Sequence, residues 1–278
     1  LVENYKVGGL AKVGLDYASL AAERPRLVYC SITGFGQSGP YADRAGYDFI
    51  IQGMSGFMSV TGEADGAPGG GPQKAGIAIT DLMTGMYAAV AIQAALAHRD
   101  RTGEGQHVDC CLFDSAVSMM AVMDMNYLVT GRSPGRFGNA HPNITPYDTY
   151  ATKDDPIFLA VGNDRQFATL CRHLGDESIA ADARFANNVQ RNANRAALKD
   201  VLEQLLAAHE CKPLAGALIR AGVPCAPIFD VPQALSDPQA VHREMVVSIG
   251  DSYKGVASPI KLSRTPATYR LAPPKAGG

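Results

Sequence analysis

The sequence predicts an α/β fold, with a parallel sheet flanked by helices followed by a smaller α+β domain. Three observations carry this. Short apolar runs at 27–32 and 107–112 alternate with long apolar segments of helical composition, the pattern of parallel strands joined by helical crossovers. A cluster of Gly, Pro, Ser and Arg at 131–138 interrupts the chain. Beyond it two short strand-like runs precede several helices, so the alternation ends. The expected division is 1–135 for the large domain and 143–228 for the small one, with 229–278 returning to the large domain.

In order along the chain, residues 8–23 read as a helical region with Leu10, Val13, Leu15 and Leu20 as its apolar positions, stopped by Pro25. The strand at 27–32 leads into Gly34-Phe-Gly-Gln-Ser-Gly39, which matches G-x-G-x-x-G. A dinucleotide fingerprint needs a helix to open at the third glycine. Pro40 and a polar run follow instead, so 33–46 is expected to be a surface or active-site loop. Residues 46–60, with Gly53 and Gly56, read as a helix packed closely on a neighbour. Residues 61–73 are rich in glycine, carry Pro68 and Pro72, and must be a loop.

The stretch from Lys74 to Arg99 is the centre of the chain. Ile77 to Thr80 is short, apolar and β-branched; 82–99 is rich in Ala, Met and Leu and reads as a helix apolar almost all round, hence buried. Asp81 stands at the junction and is the only acid between Asp65 and Asp100. A carboxylate there meets free N–H groups and the positive end of the helix dipole, which keep it ionised. One reading is a helix N-cap. The other is a nucleophilic carboxylate that forms a covalent acyl intermediate.

After a polar turn at 100–106 come the strand at 107–112 and a Met-rich helix at 114–129. In the second region, strands at 146–151 and 157–161 precede helices at 164–174, 193–208 and 213–221. Pro224 and Pro227 make 223–228 rigid and extended before a helix at 231–235. Strands at 245–249 and 257–262 close the chain.

With 278 residues, 46% hydrophobic and 19% charged, one or two globular domains are expected. A net charge of −2 implies no broad basic surface for nucleic acid. The most apolar run, 85–97, is interrupted by Gly85 and Gln93, so no bilayer span is expected. Cys30, Cys110, Cys111, Cys171, Cys211 and Cys225 form no Cys-x-x-Cys pair and read as reduced thiols, so with no signal peptide visible a cytoplasmic location is expected. The histidines are scattered, no metal site is expected, and no Gly-x-Ser-x-Gly elbow or Walker loop is present. Asp114 reads as the cap of its helix, and Cys110 and Cys111 as core residues. The start Leu-Val-Glu-Asn-Tyr and the end Pro-Pro-Lys-Ala-Gly-Gly read as those of a fragment.

Several motifs occur in a telling order: Glu3-Asn-Tyr-Lys6, Ser31-Ile-Thr-Gly-Phe-Gly-Gln-Ser-Gly-Pro40, Arg44-Ala-Gly-Tyr-Asp48, Ile79-Thr-Asp-Leu-Met-Thr-Gly85, Thr102-Gly-Glu-Gly-Gln106, Gly138-Asn-Ala-His141 and Gly222-Val-Pro-Cys-Ala-Pro227. Together they resemble family III CoA-transferases, the group that includes formyl-CoA transferase and carnitine CoA-transferase. The resemblance covers nearly the whole chain. It implies a Rossmann-like large domain whose N-terminal part is missing here, and an interlocked homodimer. It implies a catalytic Asp81 and coenzyme A contacts at Asn4, Tyr5, Lys6, Lys12, Ala45, Gly46, Tyr47 and Asp48. Gly138, Asn139 and His141 stand near the position of the family's glycine-rich substrate loop and are expected to touch substrate.

CoA would be a substrate here, with no permanently bound cofactor, and small carboxylic acids the other partners. The implied chemistry runs through an aspartyl anhydride and an aspartyl-CoA thioester, with oxyanion donors expected from the glycines at 53–56 and 69–71. The small domain would exclude water. The related α-methylacyl-CoA racemases carry histidine where this chain has Tyr47. A phenol ordinarily titrates at about 10 and replaces imidazole poorly as a proton carrier. The rival readings are an acyl-CoA racemase or epimerase and a non-catalytic CoA-binding fragment.

Overall fold

The two short apolar runs at 27–32 and 107–112 pair side by side. In the computed structural model, which describes residues 1–251 and 253–274, Val2–Glu3 (β1), Tyr29–Thr33 (β2) and His107–Cys111 (β3) form a parallel sheet in that order. Cys30 stands opposite both Val2 and Val108. A 3-10 turn at Leu10–Val13 and helix α1 (Tyr17–Glu23) join the first two strands. Asp16 caps α1 by accepting the Ser19 N–H at 3.2 Å.

Between β2 and β3 come α2 (Asp48–Met54), α3 (Phe57–Val60) and α4 (Ile79–Thr102). The segment expected as one helix at 46–60 is two, because Gly56 adopts φ +90. After β3, the single helix expected at 114–129 is likewise two, α5 (Leu112–Met120) and α6 (Val122–Thr130), parted at Ala121 with φ 41. Ile51, Leu112 and Ala116 are buried together against Ile32 and Phe35, which ties α2 and α5 to β2. Asp114 is not the cap of α5. The Cys111 thiol holds that place and accepts the Asp114 N–H at 3.4 Å.

Helix α4 differs most from expectation. It starts at Ile79, so the β-branched lead-in is partly helical and Asp81 is its third residue. It is not buried all round: only Thr80, Thr84, Ala88 and Ala95 are, while Leu82, Met86 and Val90 form an exposed stripe at four-residue spacing. Apolar composition gives the helix its tendency to be covered; it does not say which part of the chain covers it. Because it runs 24 residues through Gly85 and Gln93 unbroken, α4 is also long and apolar enough to cross a membrane by length and composition alone. The central helix of a globular α/β domain passes the same test, and α4 packs on α5 and β3.

The chain divides into two units, Leu1–Pro142 and Asn143–Gly278. Residues 229–278, expected to return to the first domain, group with the second. Just before this segment Ile228 donates to the Pro156 carbonyl, and within it Ala257 donates to that of Met245. In the second unit Tyr147–Tyr150 (β4), Ile157–Ala160 (β5) and Cys225–Pro227 (β6) form an antiparallel sheet. Its helices are α7 (Asp164–His173), α8 (Ser178–Ala181), α9 (Asn188–Ala193), α10 (Arg195–Leu206), α11 (Cys211–Arg220), α12 (Val231–Ser236) and α13 (Pro238–His242). A hairpin of Val246–Ile249 (β7) and Tyr253–Val256 (β8) follows, so the last strand lies at 253–256 rather than at 257–262.

Leu198, Leu202 and Leu206 place one apolar face of α10 in the core with Phe167, Leu170 and Leu218. Arg191 is wholly buried beside them. It donates to the carbonyls of Thr145 and Phe185 and pairs with Asp164 at 2.6 Å. Leu202→Ala leaves a cavity in this packed interior and is expected to cost about 3 kcal/mol, read in chemical denaturation. A loss under about 1 kcal/mol would show that the second unit is not held by this core.

Candidate active site

The site forms where the three parallel strands end. In open parallel sheets the carboxyl ends of the strands are where a crevice opens. β1 passes into Asn4, β2 ends at Thr33 and passes into Gly34, and β3 passes into Leu112; these line a cleft of about 540 Å³. Tyr5, Lys6 and Val7 continue its wall, Ala42 and 44–47 face them, and Asp81 and Gly85 enter from the first turns of α4. The 44–47 segment reaches the strand ends because two glycines face each other: a Cβ on Gly34 would lie 2.5 Å from the Gly46 Cα, closer than any real contact.

A helix head has four N–H groups without intrahelical partners. At α4 neither Ala78 nor the Asp81 side chain satisfies them. Asp48, buried at the start of α2, does so from 33 positions away. One of its oxygens accepts the Thr80 N–H at 2.7 Å, the Thr80 hydroxyl at 2.6 Å and the Asp81 N–H at 3.0 Å. The other accepts the Gln52 amide, whose own oxygen accepts the Ala75 N–H at 2.8 Å. Asp48 therefore caps α4 from another element, with its charge at the positive end of the helix dipole.

This leaves Asp81 free. Among the described residues, none donates a hydrogen bond to its carboxylate, which is accessible from the cleft. Partial burial and the charge of Asp48 push its carboxyl above the ordinary 3.8. This reverses the expectation that the helix head keeps Asp81 readily ionised, because Asp48 has taken that head. For Asp48, burial pushes the carboxyl up, but the bonds from Thr80, Asp81 and Gln52 outweigh it and hold it below 3.8. Two acids of one type are thus driven apart by their surroundings.

The cleft brings together Asn4, Tyr5, Lys6, Ala45, Gly46, Tyr47 and Asp81 of the expected site. Asp48 lies behind the wall. Lys12 is exposed on the 3-10 turn, outside the lining. Gly138, Asn139 and His141 are not part of the lining; Gly138 donates its N–H to the Gly62 carbonyl at 3.0 Å. The glycines at 53–56 and 69–71, expected as oxyanion donors, do not line the cleft either. Its glycines are Gly34, Gly46 and Gly85. Thr33, Gly34 and Leu112 were findable from the strand-end rule, and Gly85 from its place one turn after Asp81. Among the described residues no group of His, Cys, Asp or Glu is placed to hold a metal ion.

The sequence profile of CoA-transferase family III matches residues 1–278, the whole chain. The chain is 48% identical to a succinate–glutarate CoA-transferase of Agrobacterium fabrum over all of its own length and 69% of that protein. It is 38% identical to an acetyl-CoA:oxalate CoA-transferase of Acetobacter aceti, covering 95% of the chain and 67% of the relative. Other relatives are longer: the chain spans 58% of a mouse succinyl-CoA:glutarate CoA-transferase. The fold is similar to the crystal structure of a CaiB/BaiF family protein from Brucella suis, with TM-score 0.89 and 48% identity over 99% of this chain and 71% of that one. A full-length profile match and near-half identity to a named enzyme agree with the strand-end cleft: the chain belongs to CoA-transferase family III.

Proposed function

We propose that this chain carries the nucleophile of a CoA-transferase acting on small dicarboxylic acids, with Asp81 as that nucleophile. The observation that supports it best is the carboxylate of Asp81, free of hydrogen bonds from the described residues, on the wall of the strand-end cleft. The named relatives support the substrate class: their acids are succinate, glutarate and oxalate.

In this reading the Asp81 carboxylate attacks the thioester carbonyl of the donor acyl-CoA. The C–S bond breaks, CoA leaves as thiolate, and a mixed anhydride forms. The thiolate attacks the Asp81 carbonyl of that anhydride, releasing the donor acid and leaving an aspartyl-CoA thioester. The acceptor carboxylate attacks that thioester to form a second anhydride, and the thiolate takes the acceptor acyl group and frees Asp81. No proton changes hands, so the nucleophile needs ionisation rather than a general base. Asn4, Tyr5, Lys6, Ala45, Gly46 and Tyr47 are the proposed CoA contacts, with Lys6 suited to a phosphate as a point charge.

In the full-length protein Asp81→Ala is expected to abolish CoA transfer from succinyl-CoA to glutarate while leaving CoA binding within about threefold. Transfer at the normal rate would overturn the assignment.

In this reading Asp81 reacts only when ionised, and its carboxyl is raised, so the acidic limb of the rate profile is expected at higher pH than for an unperturbed aspartate. Removing the neighbouring charge lowers the Asp81 pKa. Asp48→Asn is therefore expected to move that limb to lower pH, whatever it does to the maximal rate; a limb that stays put or rises contradicts the coupling.

A homodimer, interlocked as in the family this chain resembles, is part of the same proposal. Leu82, Met86 and Val90 on α4 and Val122, Met125, Leu128 and Val129 on α6 form exposed apolar surface of the kind that subunits cover. Sedimentation of the full-length protein is expected to give twice the protomer mass, and Leu128→Asp with Val129→Asp to lower it. A fully active monomer would contradict this.

A further inference from the structure

Gly85 stands inside α4 without a structural reason for being glycine. Glycine is the poorest helix former after proline, because it loses most backbone freedom on folding and has no side chain to pack. A glycine in a helix interior is explained by a close neighbour or by a backbone angle that other residues avoid. Gly34 and Gly46 have the close neighbour, each other's backbone. Gly85 has neither. Its backbone is helical, and a Cβ on it would meet nothing within 4 Å among the described residues. The fold would accept alanine there and gain helix propensity.

Its place supplies the reason. Of α4, Asp81 and Gly85 line the strand-end cleft. Positions four apart share one face of a helix, with Cβ atoms about 5–6 Å from each other. Helical side chains lean toward the N-terminus, so a side chain at 85 would lie over the turn that carries Asp81. It would fill the part of the cleft next to the carboxylate. Bare backbone lies there instead, and Gly85 is exposed. Lys6 and Tyr47 stand on other walls of the same cleft.

We infer that Gly85 is the surface on which the acyl thioester rests when Asp81 attacks it, and that its missing side chain is what admits the thioester. The inference rests on the reading of Asp81 as nucleophile. Before reaction the thioester carbonyl carbon stands about 3–3.5 Å from an Asp81 oxygen. The two groups it carries, the sulfur and the acyl chain, then run along the wall beside Asp81, in the space that a side chain at 85 would occupy. The proposed CoA contacts at Asn4, Tyr5, Lys6 and 45–47 lie on the other walls. Bulk at 85 therefore slows formation of the anhydride and spares the binding of free CoA.

The test uses the full-length protein with succinyl-CoA as donor. Gly85→Ala is expected to keep or raise the Tm, because it puts the best helix former into open space. The same variant is expected to acylate Asp81 about tenfold more slowly, read by hydroxylamine trapping, since small misplacements of reacting groups carry losses of that order. Gly85→Leu is expected to slow acylation by about 100-fold or more. Affinity for free CoA, read by calorimetry, stays within about threefold in both variants. Stability kept while acylation falls is a split that a purely structural glycine does not produce. Should Gly85→Leu fail to fold, Gly85→Ala carries the same readouts. A Tm that falls in Gly85→Ala assigns the residue to folding and overturns the inference. So does acylation at the unsubstituted rate in either variant, or loss of free CoA binding in step with acylation. Sedimentation of a variant at a lower mass than the unsubstituted protein makes the glycine a subunit contact and overturns it as well. In each of these cases the nucleophile reading stands. An unmodified Asp81 in the unsubstituted protein overturns both.

Discussion

The head of α4 has no cap of its own, and the Asp48 carboxylate from α2 provides it. Hydrogen bonds to a charged group are each worth roughly 1.5–3 kcal/mol, and this carboxylate accepts them from Thr80, Asp81 and Gln52. They fix the first turn of α4 against α2, and Gln52 extends the hold to the lead-in at Ala75. Had Asp81 capped the helix itself, its oxygens would be spent on backbone N–H groups. With Asp48 in that role, the Asp81 carboxylate is left to the cleft.

The same arrangement sets the two acids apart chemically. A carboxylate accepting several short bonds has its lone pairs engaged and its negative charge stabilised, which makes it a weak nucleophile. One with a raised pKa and no donors among the described residues is more basic and its lone pairs are open. The close crossing of Gly34 and Gly46 then brings 44–47 against the strand ends, so that the wall carrying Tyr47 and the wall carrying Lys6 face one cleft. Site and sheet are parts of one construction, because the crevice exists where β1, β2 and β3 stop.

The sequence was legible where local pattern settles structure. The short apolar runs around Tyr29 and Val108 became strands, the segment after Gly39 formed turns rather than a helix, and the glycine-rich 61–73 stayed irregular. Asn4, Lys6, Tyr47 and Asp81 were identified through family motifs, and the fold brings them to one cleft. What stayed hidden depends on distant contacts. Nothing near Asp48 announces that it caps a helix 31 positions on; the family resemblance implied a CoA contact there instead. The stripe Leu82, Met86 and Val90 reads as core because composition reports apolarity, and coverage depends on what lies outside the helix. Ala121 gives no local warning of a positive φ, and Cys111 gives none that a thiol would displace Asp114 as a cap. Lys12 carries the right charge for a phosphate but sits outside the cleft lining, which spacing along the chain does not reveal.

The proposed transfer requires Asp81 to become covalently modified. The most direct measurement incubates the full-length protein with succinyl-CoA, adds hydroxylamine or borohydride, and maps the modified peptide by mass spectrometry. One modified residue is expected, Asp81, as hydroxamate or alcohol, with Asp48 untouched. Modification of Asp48 or of another residue, or transfer that proceeds with no trappable adduct, would contradict it.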